Sequence, residues 1–221
     1  MDVRDALRAR RTVRAFLDRP VRRETLEAIL ADALHTPSWA NTQPWEVFVA
    51  GGEAFERIRR ISLERTLAKI PSNPDVPFPG AWTSECRERT KELGAGRAEV
   101  RGTGPDDPAF HHDFLMANRS FFGAPCAVYL CMDRMLGSWS IFDLGAICQS
   151  ITLAAQDHGV DSAIAINLVV YPDLLRAELG IPRELLIVIG IALGYRDSGD
   201  PEDPFRSARR PLSDAVRFVG I

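Results

Sequence analysis

Apolar residues recur at helical spacing along most of the chain and form continuous runs in only a few places. Prolines and glycines separate these stretches, as expected of residues that interrupt regular structure. Continuous runs predict strands over 46–50, 125–132 and 185–193, whereas 162–170 is apolar but fits neither pattern. Helices are predicted over about 2–10, 22–35, 53–69, 84–100, 110–122, 140–158 and 172–179. Helices outnumber the scattered strands, so the expected fold class is α+β.

The predicted helix 140–158 is apolar around most of its circumference. A helix of this kind is buried in a core or at a contact between subunits. Its start resembles a capping box, with Ser140 as the N-cap residue and Asp143 in the place of the usual Glu. Gly159 is expected to end it.

Residues 71–108 differ from the rest of the chain because they hold six of its 15 prolines. They contain too few apolar residues for a core of their own, so they are predicted to form an excursion over the main core. The chain of 221 residues is therefore expected to be one domain, residues 1–221, that ends in an extended basic tail over about 197–221.

The net charge of −3 hides a strong asymmetry. Residues 1–23 hold eight Arg and three Asp, and a second basic cluster lies near the end of the chain. Two basic arms on an acidic chain suggest that both meet at one anion, although a solvated helix face is the other reading of each cluster. The overall charge argues against a nucleic-acid-binding protein.

Several other classes of site and location find no support in the sequence. No cysteine pair has metal-knuckle or redox spacing, so all four cysteines are expected to be small buried residues, with Cys126 and Cys131 on opposite faces of a strand. The longest apolar run is too short to cross a membrane and no signal peptide opens the chain, so a cytoplasmic protein without a membrane partner is expected. Nucleophile-elbow and Walker motifs are absent.

Two polar loops carry the candidate chemistry. Arg10-Arg11-Thr12-Val13-Arg14 puts cations and a hydroxyl in a row of donors that suits a phosphate. Pro37-Ser38-Trp39-Ala40-Asn41-Thr42-Gln43-Pro44-Trp45 offers a hydroxyl and two amides that suit a heteroaromatic ring edge or a polyol. Ordinary turn chemistry is the alternative reading of the second loop.

Taken together, these motifs resemble the FMN-dependent nitroreductase family over essentially the whole chain. The resemblance is carried by the two loops, the first extended to Ala15-Phe16, and by Gly190-Ile191-Ala192-Leu193-Gly194-Tyr195 followed by Arg206-Ser207-Ala208-Arg209-Arg210-Pro211. It implies an α+β homodimer with a mainly antiparallel central sheet flanked by helices and two FMN sites at the subunit interface. The helix 140–158 would lie in the dimer core, and the excursion 71–108 would be a lid.

The resemblance also implies roles for individual residues. Arg10 and Thr12, within a motif that includes Arg11, would hold the FMN phosphate, and Arg209 with Arg206 would close on it. Arg14 would lie near N1 and O2 of the ring, where a cation stabilises the reduced flavin. The remaining cofactor-binding candidates are Asn41 and Gln43 at the ring and ribityl chain, Pro37, Ser38 and Trp39 from the partner subunit, and Ile164, Ala165 and Ile166 near N5. Thr12 replaces a common Ser, and Trp39 stands where many members have a small residue.

The implied activity is reduction of a nitroaromatic or quinone by NAD(P)H through FMN in a ping-pong cycle. The flavin carries the chemistry, so no side chain is nominated as catalytic and no metal is expected. Phe78, Trp82, Phe121 and Phe122 are candidates for stacking on a small aromatic acceptor, with core packing as the other reading. Reductive dehalogenation, flavin breakdown, enone reduction and a non-enzymatic FMN-storage dimer remain open, as does the preference for NADH or NADPH.

Overall fold

One antiparallel sheet lies at the centre of the computed structural model, which describes residues 1–221. Its strands are β1 (Glu46–Gly51), β2 (Cys126–Asp133), β3 (Asp161–Ala165) and β4 (Leu185–Gly194). Their order across the sheet is β1-β2-β4-β3, and every neighbouring pair is antiparallel. The predicted α+β class with an antiparallel sheet is thus confirmed.

Eight helices surround this sheet, most of them at the predicted positions. They are α1 (Val3–Ala9), α2 (Arg23–Ala33), α3 (Gly52–Leu67), α4 (Ser84–Val100), α5 (Pro108–Arg119), α6 (Ser138–Asp157), α7 (Pro172–Leu179) and α8 (Leu212–Ala215). No helix is both long enough and apolar enough to cross a membrane.

The alternation of side chains along β2 separates two cores. Tyr129 and Cys131 point into a core made with α3 and α7, whereas Cys126, Val128 and Leu130 point into one made with α2 and α6. A strand directs successive side chains to opposite faces, so a continuous apolar strand serves both cores. The predicted opposition of Cys126 and Cys131 is confirmed.

Three of the four cysteines are buried as predicted, and burial raises the pKa of each thiol to about 12. The exception is Cys86, in the first turn of α4, which is partly exposed. Hydrogen bonds from Thr83 and Arg89 lower its pKa. The expectation that all four are buried is therefore wrong for Cys86, because α4 has few apolar neighbours to cover it.

The capping box predicted at Ser140 does not exist. The helix begins two residues earlier, at Ser138, and its N-cap Gly137 makes no side-chain cap bond. Ser140 is therefore inside the helix, and the Asp143 carboxylate accepts from the backbone N–H of Trp39 instead. The ambiguous stretch 162–170 divides into the end of β3 and a 3-10 turn, Ile166–Val169.

Ion pairs attach both ends of the 71–108 segment to the rest of the protein. Asp75 accepts from the Ile187 backbone N–H at 2.9 Å and pairs with Arg176 at 2.5 Å. At the other end, Arg97 of α4 makes a two-pronged ion pair with Glu202 at 2.7 and 2.9 Å, and both side chains are buried. These contacts attach the segment that the sequence predicts as an excursion to β4, α7 and the C-terminal tail.

Candidate functional site

The first arginine motif is an extended segment that follows α1 and lies beside the edge of the sheet. The backbone of Thr12 bridges Ser162 of β3 in the parallel sense, and the Val13 N–H donates to the Ser162 carbonyl at 3.0 Å. Val13 is buried in the core, which holds this segment in place. The motif is therefore positioned by the sheet edge, as a site for a ligand requires.

The three arginines of this motif have different surroundings. The Arg10 guanidinium lies near Cys148 of α6, and its Nε is buried with no hydrogen-bond partner. The terminal nitrogens of Arg11 bind the backbone carbonyl and the carboxylate of Asp203, and its Nε, like that of Arg10, is buried with no partner. Buried N–H donors without partners are rare in folded proteins, so the unpaired Nε of Arg10 indicates a place for an acceptor from outside the chain.

Arg14 is partly buried and makes only one long hydrogen bond, to the Thr12 carbonyl at 3.5 Å. Burial, with a smaller effect from the neighbouring Arg97, lowers its pKa to about 10, and Glu202 partly opposes this shift. The guanidinium is still charged at neutral pH. A partly buried cation with free donors is suited to stabilise an anion next to it.

A small cleft beside the motif is rich in acidic side chains. Four carboxylates, Asp197, Asp200, Glu202 and Asp203, line it together with the motif residues Arg11 and Arg14. An anion would be repelled by so many acidic groups. This cleft therefore joins the motif to the tail and is not the phosphate site.

The outer edge of β3 offers backbone donors next to the motif. Since the Ser162 carbonyl accepts from Val13, the polar groups of Ser162 point away from β4. Backbone groups alternate between the two sides of an antiparallel strand, so the N–H of Ile164 points to the same outer edge. Ile164 and Ile166 are exposed there, and Ala165 lies between them.

The second polar loop has a strained backbone. Ala40, Asn41 and Gln43 have φ angles of 50°, 55° and 47°, in the left-handed region that favours glycine. Each such residue costs about 1 kcal/mol or more, although Asn tolerates the conformation better. Strain of this kind persists where the surroundings enforce it and is common in ligand-binding loops.

The same loop presents its polar residues outward. Ser38 organises it, because its hydroxyl accepts from the Gln43 N–H at 2.9 Å. Pro44 and Trp45 anchor its end in the protein, whereas Pro37, Trp39, Asn41 and Gln43 are exposed. The Gln43 amide donates to the Asn41 side-chain oxygen at 3.2 Å, and both side chains are exposed.

The tail arginines are less firmly held. Arg206 donates to the carbonyls of Asp203 and Phe205 and lies close enough to Arg11 for that cation to lower its pKa, after the effect of burial. Arg209 is exposed and donates only to Ser207 and Ala208. The structure therefore brings Arg11 and Arg206 together through Asp203, and it leaves Arg209 apart.

The four aromatic candidates for acceptor stacking divide into two pairs. Phe121 and Phe122 are buried in the core, and Phe121 stacks on Phe55 with ring centroids 5.5 Å apart. Core packing is therefore the correct reading of Phe121 and Phe122. Phe78 and Trp82 are about half exposed on the segment that precedes α4.

Comparison with known proteins agrees with this geometry. A family model described as the nitroreductase family matches residues 7–195. The chain belongs to the nitroreductase family. The resemblance inferred from the sequence motifs is thereby confirmed over most of the chain.

Named members of the nitroreductase family match this chain along its full length. The nitrobenzene nitroreductase of Ectopseudomonas oleovorans is 32% identical, and the alignment covers 97% of this chain and 96% of that protein. The FMN and NADPH-dependent nitroreductase NfnB from Sphigopyxis sp. strain HMH has a TM-score of 0.93 at 28% identity, with 100% of both chains covered. The FMN-dependent NfnB from Mycobacterium smegmatis, solved in complex with NADPH, has a TM-score of 0.91 at 29% identity, covering 98% and 97% of the two chains.

Some residues around this nitroreductase-family site could not be found from the sequence. Glu202 and Asp203 stand in an acidic stretch of the tail that has no periodic pattern, and their partners Arg97 and Arg11 are about 100 or more residues away. The sequence did mark Asp143, but only as the partner of a capping box at Ser140, and that assignment was wrong.

Proposed function

We propose that this chain is an NAD(P)H-dependent FMN oxidoreductase that reduces nitroaromatic or quinone acceptors in a ping-pong cycle. The observation that carries the proposal is the buried, unpartnered Nε of Arg10, in the same motif as the partly buried Arg14, in a fold that matches FMN-dependent nitroreductases along its full length. Both features follow from residues of the first loop motif, so the motif and the fold support the same ligand.

The phosphate of FMN would be held by Arg10 and Thr12. The unpartnered Nε of Arg10 fits a phosphate because a charge-assisted hydrogen bond would remove the cost of a buried donor without an acceptor. Arg11 would support the site indirectly through its bond to Asp203. Arg206 and Arg209 of the tail are proposed to close on the phosphate once the partner subunit and the ligand are present.

The ring of FMN would be held by the other predicted residues. Arg14 would face N1 and O2, where its charge stabilises negative charge on the reduced ring. The outward-pointing N–H of Ile164, with Ala165 and Ile166 beside it, would donate near N5. Pro37, Ser38 and Trp39 would reach the cofactor from the partner subunit, and the Asn41 and Gln43 amides would contact the ring and the ribityl chain. The exposure of Pro37, Trp39, Asn41 and Gln43 agrees with this.

Bound FMN would supply the two-electron chemistry between NAD(P)H and the acceptor, so the residues of the protein would bind and orient rather than react. Arg14 keeps its charge at neutral pH and needs no proton transfer. Phe78 and Trp82 are proposed to stack on the aromatic acceptor from a lid formed by 71–108, because they are exposed aromatics on that segment. Double-reciprocal plots of the initial rate against NAD(P)H concentration, at several fixed acceptor concentrations, test the ping-pong order. Parallel lines would support it, and intersecting lines would exclude it.

A homodimer is proposed from the apolar surface of α6 and α1. Trp139 and Phe142 lie one turn apart on α6 with 69% and 70% of their surface exposed, and their rings pack edge to face. Val3 and Leu7 of α1, which contacts α6, are also exposed. Such a patch is typical of a subunit interface. Light scattering during gel filtration tests it, and a Phe142→Glu change should yield monomers.

The first experiment is the visible spectrum of the purified protein during an anaerobic titration with NADPH and, separately, NADH. A flavin spectrum that bleaches with either donor, and returns on addition of a nitroaromatic, supports the proposed reaction. A flavin that no donor bleaches would favour FMN storage. A protein that takes up no added FMN would exclude both.

A further inference from the structure

Asp143 is a buried carboxylate in a largely apolar helix. Only 3% of its surface is exposed, and it lies in α6 between the exposed Phe142 and the buried Leu144. A carboxylate loses favourable hydration when it is buried, so an apolar residue would suit the packing of this helix better. The position therefore calls for an explanation other than helix packing.

The carboxylate contacts the strained polar loop. Both of its oxygens lie 3.3 Å from the backbone nitrogen of Trp39, the residue directly before the left-handed Ala40. The other hydrogen bonds of residues 38–43 stay within that loop. Asp143 is thus the side chain outside the loop that bonds to its strained part.

A second contact joins the base of the loop to the same helix. The Thr36 hydroxyl donates to the Ser150 hydroxyl at 2.6 Å. Asp143 and Ser150 are seven residues apart, which is two helical turns, so both lie on one face of α6. The helix holds the loop at two points, and the point nearest to Asn41 and Gln43 is Asp143.

We propose that Asp143 is a positioning residue, which fixes the 38–43 loop in the conformation that presents Asn41 and Gln43 to the flavin. This inference rests on the proposed function. The left-handed residues of the loop would relax to ordinary backbone angles without an outside anchor, because their conformation is unfavourable by itself. Cofactor binding would then have to order the loop, and the affinity would fall.

The role requires a hydrogen-bond acceptor at position 143 and a backbone N–H at position 39. Asp143→Leu removes the acceptor, and Asp143→Asn retains an oxygen that can accept. Trp39→Pro removes the donor of the same hydrogen bond and leaves the sequence of α6 unchanged. Trp39→Ala is its matched control, because it loses the same side chain and keeps the backbone N–H.

The Kd of FMN is measured by quenching of flavin fluorescence on titration with apoprotein, and the melting temperature of each apoprotein by circular dichroism. Asp143→Leu is expected to weaken FMN binding about tenfold or more, as loss of a hydrogen bond to a charged group does. Asp143→Asn should recover most of the affinity. Trp39→Pro should bind about tenfold more weakly than Trp39→Ala, and adding Asp143→Leu to it should cause no further loss, because both changes remove one contact.

An Asp143→Leu protein with an unchanged Kd overturns the inference, even if its melting temperature falls, since that pattern describes a merely structural residue. If Asp143→Leu does not fold, the comparison of Trp39→Pro with Trp39→Ala tests the inference instead. Equal affinities of these two variants for FMN overturn it. If the unaltered apoprotein does not bind FMN, the proposed function itself is refuted. This outcome differs from failure of the inference about Asp143, in which the unaltered protein binds FMN and the variant binds it equally well.

Discussion

Gly190 is a position where one added methyl group has a calculable effect. A Cβ at this residue of β4 would lie 2.5 Å from the Cβ of Leu168 and 3.1 Å from its Cδ2. The Leu168 Cβ is attached to its backbone, so no side-chain rotation relieves the contact, and β4 cannot shift because it is paired on both sides. The 3-10 turn that contains Leu168 must move instead.

Overpacking of this kind costs about 1–3 kcal/mol, and we expect about 2 kcal/mol for Gly190→Ala. For a chain of this length that loss corresponds to a melting temperature lower by about 4–8 °C. The displaced turn begins at Ile166, next to the outer edge of β3, so FMN binding should weaken as well.

The assay is thermal unfolding of the apoprotein followed by circular dichroism, with Gly94→Ala as the control. Gly94 lies inside α4 with no atom within 4 Å of an added Cβ. Alanine there should leave stability unchanged or raise it by up to about 1 kcal/mol, because glycine is the poorer helix former. If the Gly190→Ala protein has the same melting temperature as the Gly94→Ala control, the argument from close packing at Gly190 is refuted.

Other predictions concern charge and thiol chemistry. Arg14→Ala should slow reduction of bound flavin by NADPH at least about tenfold in stopped-flow measurements, since it removes the cation assigned to the ring; an unchanged rate would refute that assignment. Glu202→Gln should lower stability by about 3 kcal/mol in urea unfolding because it leaves Arg97 buried without its counter-charge. Burial raises the pKa of Glu202, but Arg97 and Arg101 outweigh burial, and the net pKa lies below the usual 4.5. The stabilisation by this ion pair is therefore present above pH 4.5. It is lost as the pH falls through the pKa of Glu202 in the folded protein. Glu202→Gln should therefore flatten the acid limb of the stability curve, and an identical limb would contradict the assignment. Cys86 should be the thiol that reacts with a disulfide reagent in the native protein, and Cys86→Ser should abolish that reaction; fast labelling of the Ser variant would show that the buried cysteines are accessible.

Local patterns were sufficient for most of the fold. The helix beginning at Pro172 was predicted because its apolar spacing and flanking proline and glycine act within a few residues, and the charged helix over 84–100 was also placed correctly. The stretch 162–170 stayed ambiguous because half of it pairs with β4, and strand pairing depends on a partner distant in the chain.

The candidate site shows the same division. Arg10, Thr12 and Arg14 could be nominated from one short motif, and so could Asn41 and Gln43. The sequence did not predict that Arg11 pairs with Asp203, or that Arg14 lies near Arg97 and Glu202. These neighbours come from the excursion and the tail, which have no periodic pattern to place them.

Asp143 is the clearest case of what each level decides. The sequence by itself determined that a polar residue stands in an apolar helix, and that donors cluster in two loops of a nitroreductase-like chain. Only the tertiary structure decided that the helix begins two residues before the apparent cap, which frees this carboxylate for the Trp39 N–H. The physical reason is that hydrogen bonds and buried ion pairs depend on distances between side chains in space, and residues 104 positions apart in sequence meet only when the chain has folded.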